Sequence, residues 1–118
     1  SSAASDVYKR QKGKIVGVLH DVVETEKISI DDLAAQGFGK SVCKTVDALS
    51  RRKWEKYEDY INRLKKNKLA IKVKLEDLID NYSRRLSNKK KSKIDLKKIK
   101  KYEKAYKSLT GKKIQANF

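Results

Sequence analysis

The apolar stretch GVLHDVVE contains three side chains that could take part in a reaction or bind a ligand: His20, Asp21 and Glu24. Imidazole and carboxylate groups are seldom placed among apolar residues unless a partner or a metal ion offsets the hydration that they lose. Three such groups in one segment are therefore a candidate functional site. An isolated His-Asp pair also arises by chance, and a histidine at a helix end can simply interact with the helix dipole. The dipeptide by itself leaves both interpretations open.

A second polar group lies downstream, where Lys74, Asp77 and Asn81 follow one another at intervals of three and four residues. These intervals place the three side chains on one stripe of a helix. One helix therefore presents an ammonium, a carboxylate and an amide together. A solvated polar face is the plain alternative, because most helices have one.

The elements that position these groups are predicted to be helices. Of the 118 residues, 38% are apolar, none is proline and five are glycine. This composition predicts one all-α domain, a small bundle of about five to six helices with a modest core. Capping and stop residues supply several of the predicted ends. The helices are predicted from Lys14 to about Glu24, from Ser29 to about Gln36, from about Lys40 to Ser50, across Tyr57 to Leu64, from about Leu69 to Arg85, and from near Asp95 to Gly111.

The same helical spacing predicts which side chains are buried. Apolar residues that include Ile15 and Val18 cover most of the first helix, which predicts a central helix packed on several sides. Leu96 is expected to be buried in the last helix. Cys43 is expected to be a core thiol rather than a nucleophile. Trp54 is expected to anchor the core rather than to stack on bases, because proteins that bind single strands use several stacking aromatics.

The ends of the chain differ in composition from its middle. Residues 1–11 are polar and lack an amphipathic pattern, and we expect them to be a non-native leader. Residues 12–110 form the predicted helical domain, which is expected to be truncated at its N-terminal side, and residues 111–118 form a tail. No apolar run approaches the roughly 20 residues that a membrane span needs. Together with the single cysteine, this predicts a cytoplasmic protein without a membrane partner.

The positive charge is concentrated in the second half of the chain. Residues 1–50 contain seven Lys/Arg and seven Asp/Glu, whereas residues 51–118 contain 24 and eight and so carry the whole net charge of +16. Such a field attracts nucleotide phosphates, nucleic acid or an acidic membrane surface. A basic helical module that binds nucleic acid is therefore one open interpretation, although the basic residues are spread over several helices and form no recognised motif.

Four motifs between Lys14 and Leu109 occur in an order that resembles a known family. They are GVLHDVVE, DDLAAQGF, YEDYINRLKKNKLAIKVKLEDLIDN and KKYEKAYKSL. In this order they are similar to the HD-domain metal-dependent phosphohydrolases, and in particular to the hydrolase domains of RelA/SpoT-type alarmone enzymes. The resemblance implies an HD-type helical bundle and the hydrolysis of a phosphate ester.

The resemblance also implies a metal site. His20 and Asp21 match the HD pair that binds a divalent metal, and Asp77 matches the distal aspartate of the same site, with manganese as the expected ion. Members of this family have another metal-binding histidine about one helix upstream, and this chain has no second histidine. The chain is therefore expected to bind metal poorly, which can leave it inactive, whereas its intact parent is expected to be an enzyme.

The remaining implied roles concern catalysis and the substrate. Glu24 matches an acid that positions or activates the attacking water, and Lys74 and Asn81 match residues along the nucleotide site. The expected substrate is a nucleotide or another phosphate ester, with guanosine tetraphosphate as the family's example. Thr25 stands where the alarmone hydrolases usually have a second acid, and two positions of KLEDLIDN also depart from their pattern. A non-catalytic HD scaffold that holds a nucleotide or a partner without turnover is the third open interpretation.

Overall fold

Six α-helices account for the regular structure in the computed structural model, which describes residues 2–25 and 27–118, with side chains from Arg10 onward. The predicted all-α class is confirmed. The chain forms two units, one that extends to Val73 and one from Lys74 to Phe118, and the boundary falls within the fifth helix. The helices are α1 (Ser2–Glu24), α2 (Ile30–Ala35), α3 (Lys40–Leu49), α4 (Tyr57–Leu64), α5 (Lys68–Leu86) and α6 (Lys93–Thr110).

Side-chain caps and a glycine set the ends of α2 and α6. Ser29 caps α2 by accepting from the N–H of Asp32, whose carboxylate in turn accepts from the N–H of Ser29. Ser92 and Asp95 form the same reciprocal capping box at the start of α6. Such boxes satisfy amide groups that the first helical turn leaves without partners. Helix α6 therefore begins at Lys93, slightly earlier than predicted, and it ends as predicted at a left-handed glycine with φ of 73°.

Helix α1 starts at Ser2, well before the predicted Lys14, and it packs chiefly against α3. Val16 is fully buried, whereas Ile15 and Val18 are 48% and 65% exposed. The expectation that this helix is packed on several sides is therefore wrong for the face that carries these two residues. A helix with apolar residues around its whole circumference is buried only where another segment packs against it. Among the described residues, no segment covers the face of α1 that carries Ile15 and Val18.

Glycine brings α1 close to the first turns of α5. A β-carbon at Gly13 would lie 3.5 Å from a methyl group of Val73, and one at Gly17 would lie 3.9 Å from the same side chain. Both distances are ordinary van der Waals contacts. Gly13 and Gly17 are four residues apart, so the face of α1 that carries them lies against Val73. Lys12 also donates to Ser41 Oγ at 2.6 Å and links α1 to α3.

The core of the first unit comes from α1 to α4. Cys43 is buried, as predicted for a core thiol, and its thiol lies 3.6 Å from the carbonyl of Phe38. The Tyr60 hydroxyl donates to the Leu49 carbonyl at 2.7 Å, which satisfies a buried group that α3 cannot satisfy itself. The other large buried side chains of this unit are Val16, Leu33, Val46, Leu49, Ile61 and Leu64.

The second unit buries a smaller set of side chains. These are Leu78, Tyr82, Ile99, Ala105 and Ile114. Leu96 is 51% exposed, so its predicted burial is wrong, because the buried face of α6 is centred on Asp95 and Ile99. Beyond α6, Ile114 is 2% exposed and the N–H of Asn117 donates to Ser83 Oγ at 2.8 Å. None of the described helices has the length and apolar character that crossing a bilayer requires.

The pH dependence of stability is expected to reflect Asp95. Its carboxylate accepts from the N–H of Ser92 at 3.0 Å and from Arg85 at 2.6 Å. The Ser92 amide, followed by Arg85, lowers the pKa of Asp95 below its usual value. A carboxyl whose pKa is lower in the folded state contributes stability above its unfolded pKa and loses it as pH falls through the folded pKa.

Replacing Asp95 with asparagine keeps an acceptor for the cap but removes the charge. We expect Asp95→Asn to be less stable than the parent at pH 7, with a difference that shrinks as pH falls below about 4. Urea midpoints at pH 7 and pH 3 measure this change. Asp31→Asn, at an exposed acid in α2, is the matched control and should show no such convergence. A difference that stays constant with pH would contradict the assignment.

Candidate functional site

His20, Asp21 and Glu24 come together at the C-terminal end of α1. Each offers one ligand atom, and these atoms all lie within 4.8 Å of one another. His20 Nε2 is 3.3 Å from Asp21 Oδ1, with the His20 side chain 15% exposed and the Asp21 side chain 76% exposed. The three- and four-residue spacings bring Glu24 over the same face of the helix. One imidazole and two carboxylates of this arrangement are thus able to bind a single cation.

The two ring nitrogens of His20 differ in their surroundings, because Nε2 is the one that lies beside Asp21. His20 Nδ1 is buried and has no hydrogen-bond partner among the residues that the structure describes. An unsatisfied buried polar atom costs free energy, so such atoms are uncommon in native structures without a role. The buried imidazole and the neighbouring carboxylates fit a divalent metal, because they combine a nitrogen ligand with solvent-accessible oxygen ligands.

The backbone of the segment after α3 orients Glu24. The N–H of Arg51 donates to Glu24 Oε1 at 2.9 Å, across 27 residues of sequence. The hydroxyl of Thr25 donates to the carbonyl of Val22 at 2.8 Å and satisfies a carbonyl at the end of α1. Thr25 thus has a structural contact at the position where the alarmone hydrolases that the sequence resembles usually have an acid.

An arginine network fixes the segment that contains Arg51. Arg63 donates to both oxygens of Glu55, at 2.9 and 3.0 Å, and also to the carbonyls of Asp47 and Ser50, each at 2.9 Å. Arg52 donates to the Asp47 carboxylate at 2.7 Å. The hydrogen bonds from Arg63 lower the pKa of Glu55, and the same bonds raise the pKa of Arg63. Residues 50–55 are therefore held in place by charge-assisted hydrogen bonds.

A pocket of about 500 Å³ adjoins the cluster in the first unit. Glu24 belongs both to the cluster and to the wall of this pocket, and the basic residues Lys27 and Arg51 line it as well. Trp54 also lines the pocket and is 85% exposed, so the expectation that it anchors the core is wrong. It lies outside the helices, between α3 and α4, where no helical periodicity directs it inward.

The segment RRKW lines this pocket, although no site is predicted there from the sequence. The sequence feature that could have indicated the pocket is three consecutive basic residues followed by tryptophan, outside any predicted helix. The hydrogen bond from Arg51 to Glu24 depends on folding and could not be read from sequence spacing.

The predicted stripe of Lys74, Asp77 and Asn81 is present on α5 in the second unit. Lys74 Nζ is 3.2 Å from Asp77 Oδ2, and Asn81 Nδ2 donates to Asp77 Oδ1 at 3.0 Å. Asn81 in turn accepts from Arg84. Both carboxylate oxygens of Asp77 are therefore engaged by side chains of its own helix. The shared metal site of Asp77 with His20 and Asp21 stays a prediction.

Comparison with known proteins adds no assignment. Neither a family model nor a curated protein matches this chain. The functional conclusion therefore depends on the residues and their geometry.

Proposed function

We propose that this chain is a metal-dependent phosphohydrolase of the HD type. The observation that supports it is the cluster of His20, Asp21 and Glu24, with a buried imidazole nitrogen that lacks a hydrogen-bond partner among the described residues. The substrate class is a nucleotide or another phosphate ester, and guanosine tetraphosphate is the first candidate to test. Manganese is the proposed ion.

The proposed roles follow the chemistry of each side chain. His20 and Asp21 would hold the metal, with Asp77 as the further ligand that the family resemblance implies. A bound divalent ion supplies hydroxide near neutral pH and polarises a phosphoryl oxygen. Lys74 and Asn81 would contact the substrate, where an ammonium neutralises phosphate charge and an amide donates hydrogen bonds.

Glu24 is the proposed general base. Its carboxylate is exposed, and the hydrogen bond from the Arg51 amide restricts its orientation. A general base must have a fixed position, because proton transfer requires hydrogen-bond distance to the water that it deprotonates. The arginine network around residues 50–55 supports this position from outside the cluster.

The lysine-rich surfaces favour an anionic ligand but do not distinguish a substrate from a polyanion. The second half of the chain carries the whole net charge of +16. This field would raise the local concentration of a phosphate-bearing substrate. A non-catalytic scaffold would use the same field, so turnover is the property that separates these two functions.

Metal binding provides the first test. We expect Mn²⁺, titrated into the millimolar range, to raise the melting temperature, because a ligand that binds only the folded state stabilises it by mass action. His20→Ala is expected to weaken Mn²⁺ binding by about 10- to 100-fold or more, the range reported for groups that merely support metal ligands. Isothermal titration measures the affinity directly.

Glu76→Ala is the matched control, because Glu76 is an exposed acid on α5. Its Mn²⁺ affinity should equal that of the parent. If Mn²⁺ bound to the parent and to His20→Ala with equal affinity, the ion would lie elsewhere and the proposed metal centre would be wrong. The absence of any Mn²⁺ response in the parent chain would contradict the phosphohydrolase proposal itself.

A further inference from the structure

A row of five lysines runs along the outer face of α6. We call Lys93, Lys97, Lys100, Lys104 and Lys107 the lysine row, and all five are exposed. Their intervals alternate between four and three residues, so they fall within about 80° of the helix circumference. At 1.5 Å per residue the row is about 21 Å long.

The opposite face of α6 determines the direction in which the lysine row points. Asp95, Ile99 and Ala105 are buried on that side. Arg85 donates to Asp95, and a hydrogen bond to Tyr102 contributes most to the raised pKa of Arg85. These contacts fix the rotation of the helix about its axis, so the lysine row is a defined surface of the second unit.

Repulsion within the lysine row lowers the stability of α6. Lysines three and four residues apart repel one another, at about 0.2–0.5 kcal/mol per pair. A face that is only solvated commonly alternates the signs of its charges. Residues 96–118 instead contain eight lysines and one acid, Glu103. This repulsion would be relieved by a ligand that presents several negative charges in a line.

The C-terminal half of the row borders a concave surface. A cavity of about 540 Å³ there is lined by Lys100, Glu103, Lys104, Lys107, Gly111 and Lys113. The left-handed conformation of Gly111 turns the chain back after α6, and burial of Ile114 anchors the returning segment. Lys113 is thereby added to the wall beside the row, which gives the basic surface a shape as well as a charge.

We propose that the lysine row binds the sugar-phosphate backbone of duplex nucleic acid, without sequence preference. Duplex DNA carries a phosphate about every 3.4 Å along each strand, so a 21 Å row spans about six base-pair steps. Lysine is a point charge suited to phosphate contact, and the row has no Arg, Asn or Gln for reading base edges. None of these lysines belongs to the proposed metal centre.

Two other polyanions fit the surface less well. Single-strand binders stack bases on aromatic rings, whereas the two tyrosines of α6, Tyr102 and Tyr106, are half-buried. Helices that lie on membranes insert a broad apolar face. On α6 the exposed large apolar residues are Ile94 and Leu96, both in its first turn, and Ile99 is buried.

The test compares two variants with the same change in net charge. Lys97→Gln/Lys100→Gln/Lys107→Gln removes three members of the row, and Lys44→Gln/Lys65→Gln/Lys66→Gln removes three exposed lysines of the first unit. Fluorescence anisotropy with a labelled 30-base-pair duplex of mixed sequence is measured between 50 and 200 mM salt. We expect the row variant to lose at least about tenfold in affinity at 50 mM and to reduce the salt slope by about 2.7.

The control variant is expected to lose less than about threefold in affinity. Lys97→Arg/Lys100→Arg/Lys107→Arg keeps the charge and should retain binding, and circular dichroism establishes that each variant is folded. Equal losses in the two glutamine variants would overturn the proposal, because they would indicate a diffuse field. Absence of duplex binding, or row-dependent binding to phosphatidylserine vesicles in place of the duplex, would also overturn it.

Discussion

Replacing Glu24 with glutamine is expected to lower Mn²⁺-dependent phosphate release by about 10²- to 10⁴-fold, the usual contribution of a general base. Glutamine is nearly the same size and its carbonyl oxygen can still accept from the Arg51 amide, so the local structure should be kept. The amide cannot take a proton from water. Ion-exchange chromatography of the products formed from guanosine tetraphosphate measures the rate in the parent chain and in Glu24→Gln.

Metal affinity separates loss of a base from loss of structure. Glu24→Gln should keep the Mn²⁺ affinity of the parent while it loses rate, because Glu24 is proposed as the base and not as a metal ligand. Glu76→Gln, at an exposed site on α5, should keep the parent rate. An unchanged rate in Glu24→Gln would show that Glu24 is not the base. Nucleotide binding without turnover in the parent chain would instead support the non-catalytic scaffold.

Local signals in the sequence predicted much of the secondary structure. Ser29 followed by Asp32 identified the start of α2, and Gly111 identified the end of α6, because capping depends on residues within one turn. The spacing of His20 and Glu24 placed them on one helical face for the same reason. These features require no knowledge of how distant segments pack.

Burial and long-range hydrogen bonds were not predictable in the same way. Ile15, Val18 and Leu96 are apolar residues at helical spacing, yet all three are about half exposed or more. Spacing assigns a residue to a face, but only the neighbouring helices determine which face is covered. The contact from Arg51 to Glu24 joins positions 27 residues apart and depends on the conformation of the intervening chain.

The lysine row also could be located only from the packing of α6, although the excess of lysine was visible in the sequence. The sequence revealed the excess of lysine beyond residue 50 but suggested that it was spread over several helices. The buried positions of Asp95 and Ile99 establish which side of α6 faces inward. Once that side is known, five lysines of one helix occupy a single exposed face, and a general net charge becomes a specific surface.

The stability of the first unit is expected to depend strongly on Arg63. Its guanidinium donates to Glu55 and to the carbonyls of Asp47 and Ser50, and the Glu55 side chain is only 13% exposed. We expect Arg63→Leu to lower the free energy of unfolding by about 3 kcal/mol, because the largely buried Glu55 carboxylate loses the charge-assisted hydrogen bonds from Arg63. The same change should loosen the segment that holds Glu24 through the Arg51 amide.

Chemical denaturation of three variants measures this cost and identifies its source. Arg84→Leu, at an exposed arginine of α5, is the control and should change stability by about 0.5 kcal/mol or less. Glu55→Leu/Arg63→Leu should be more stable than Arg63→Leu, because it removes the carboxylate that the single change leaves uncompensated. Recovery should be partial, since the Asp47 and Ser50 carbonyls lose their hydrogen bonds from Arg63 in both variants and keep those from Arg52. If Arg63→Leu were as stable as Arg84→Leu, the network would not hold the segment beside the proposed metal centre, and Glu24 would have to be positioned by other contacts.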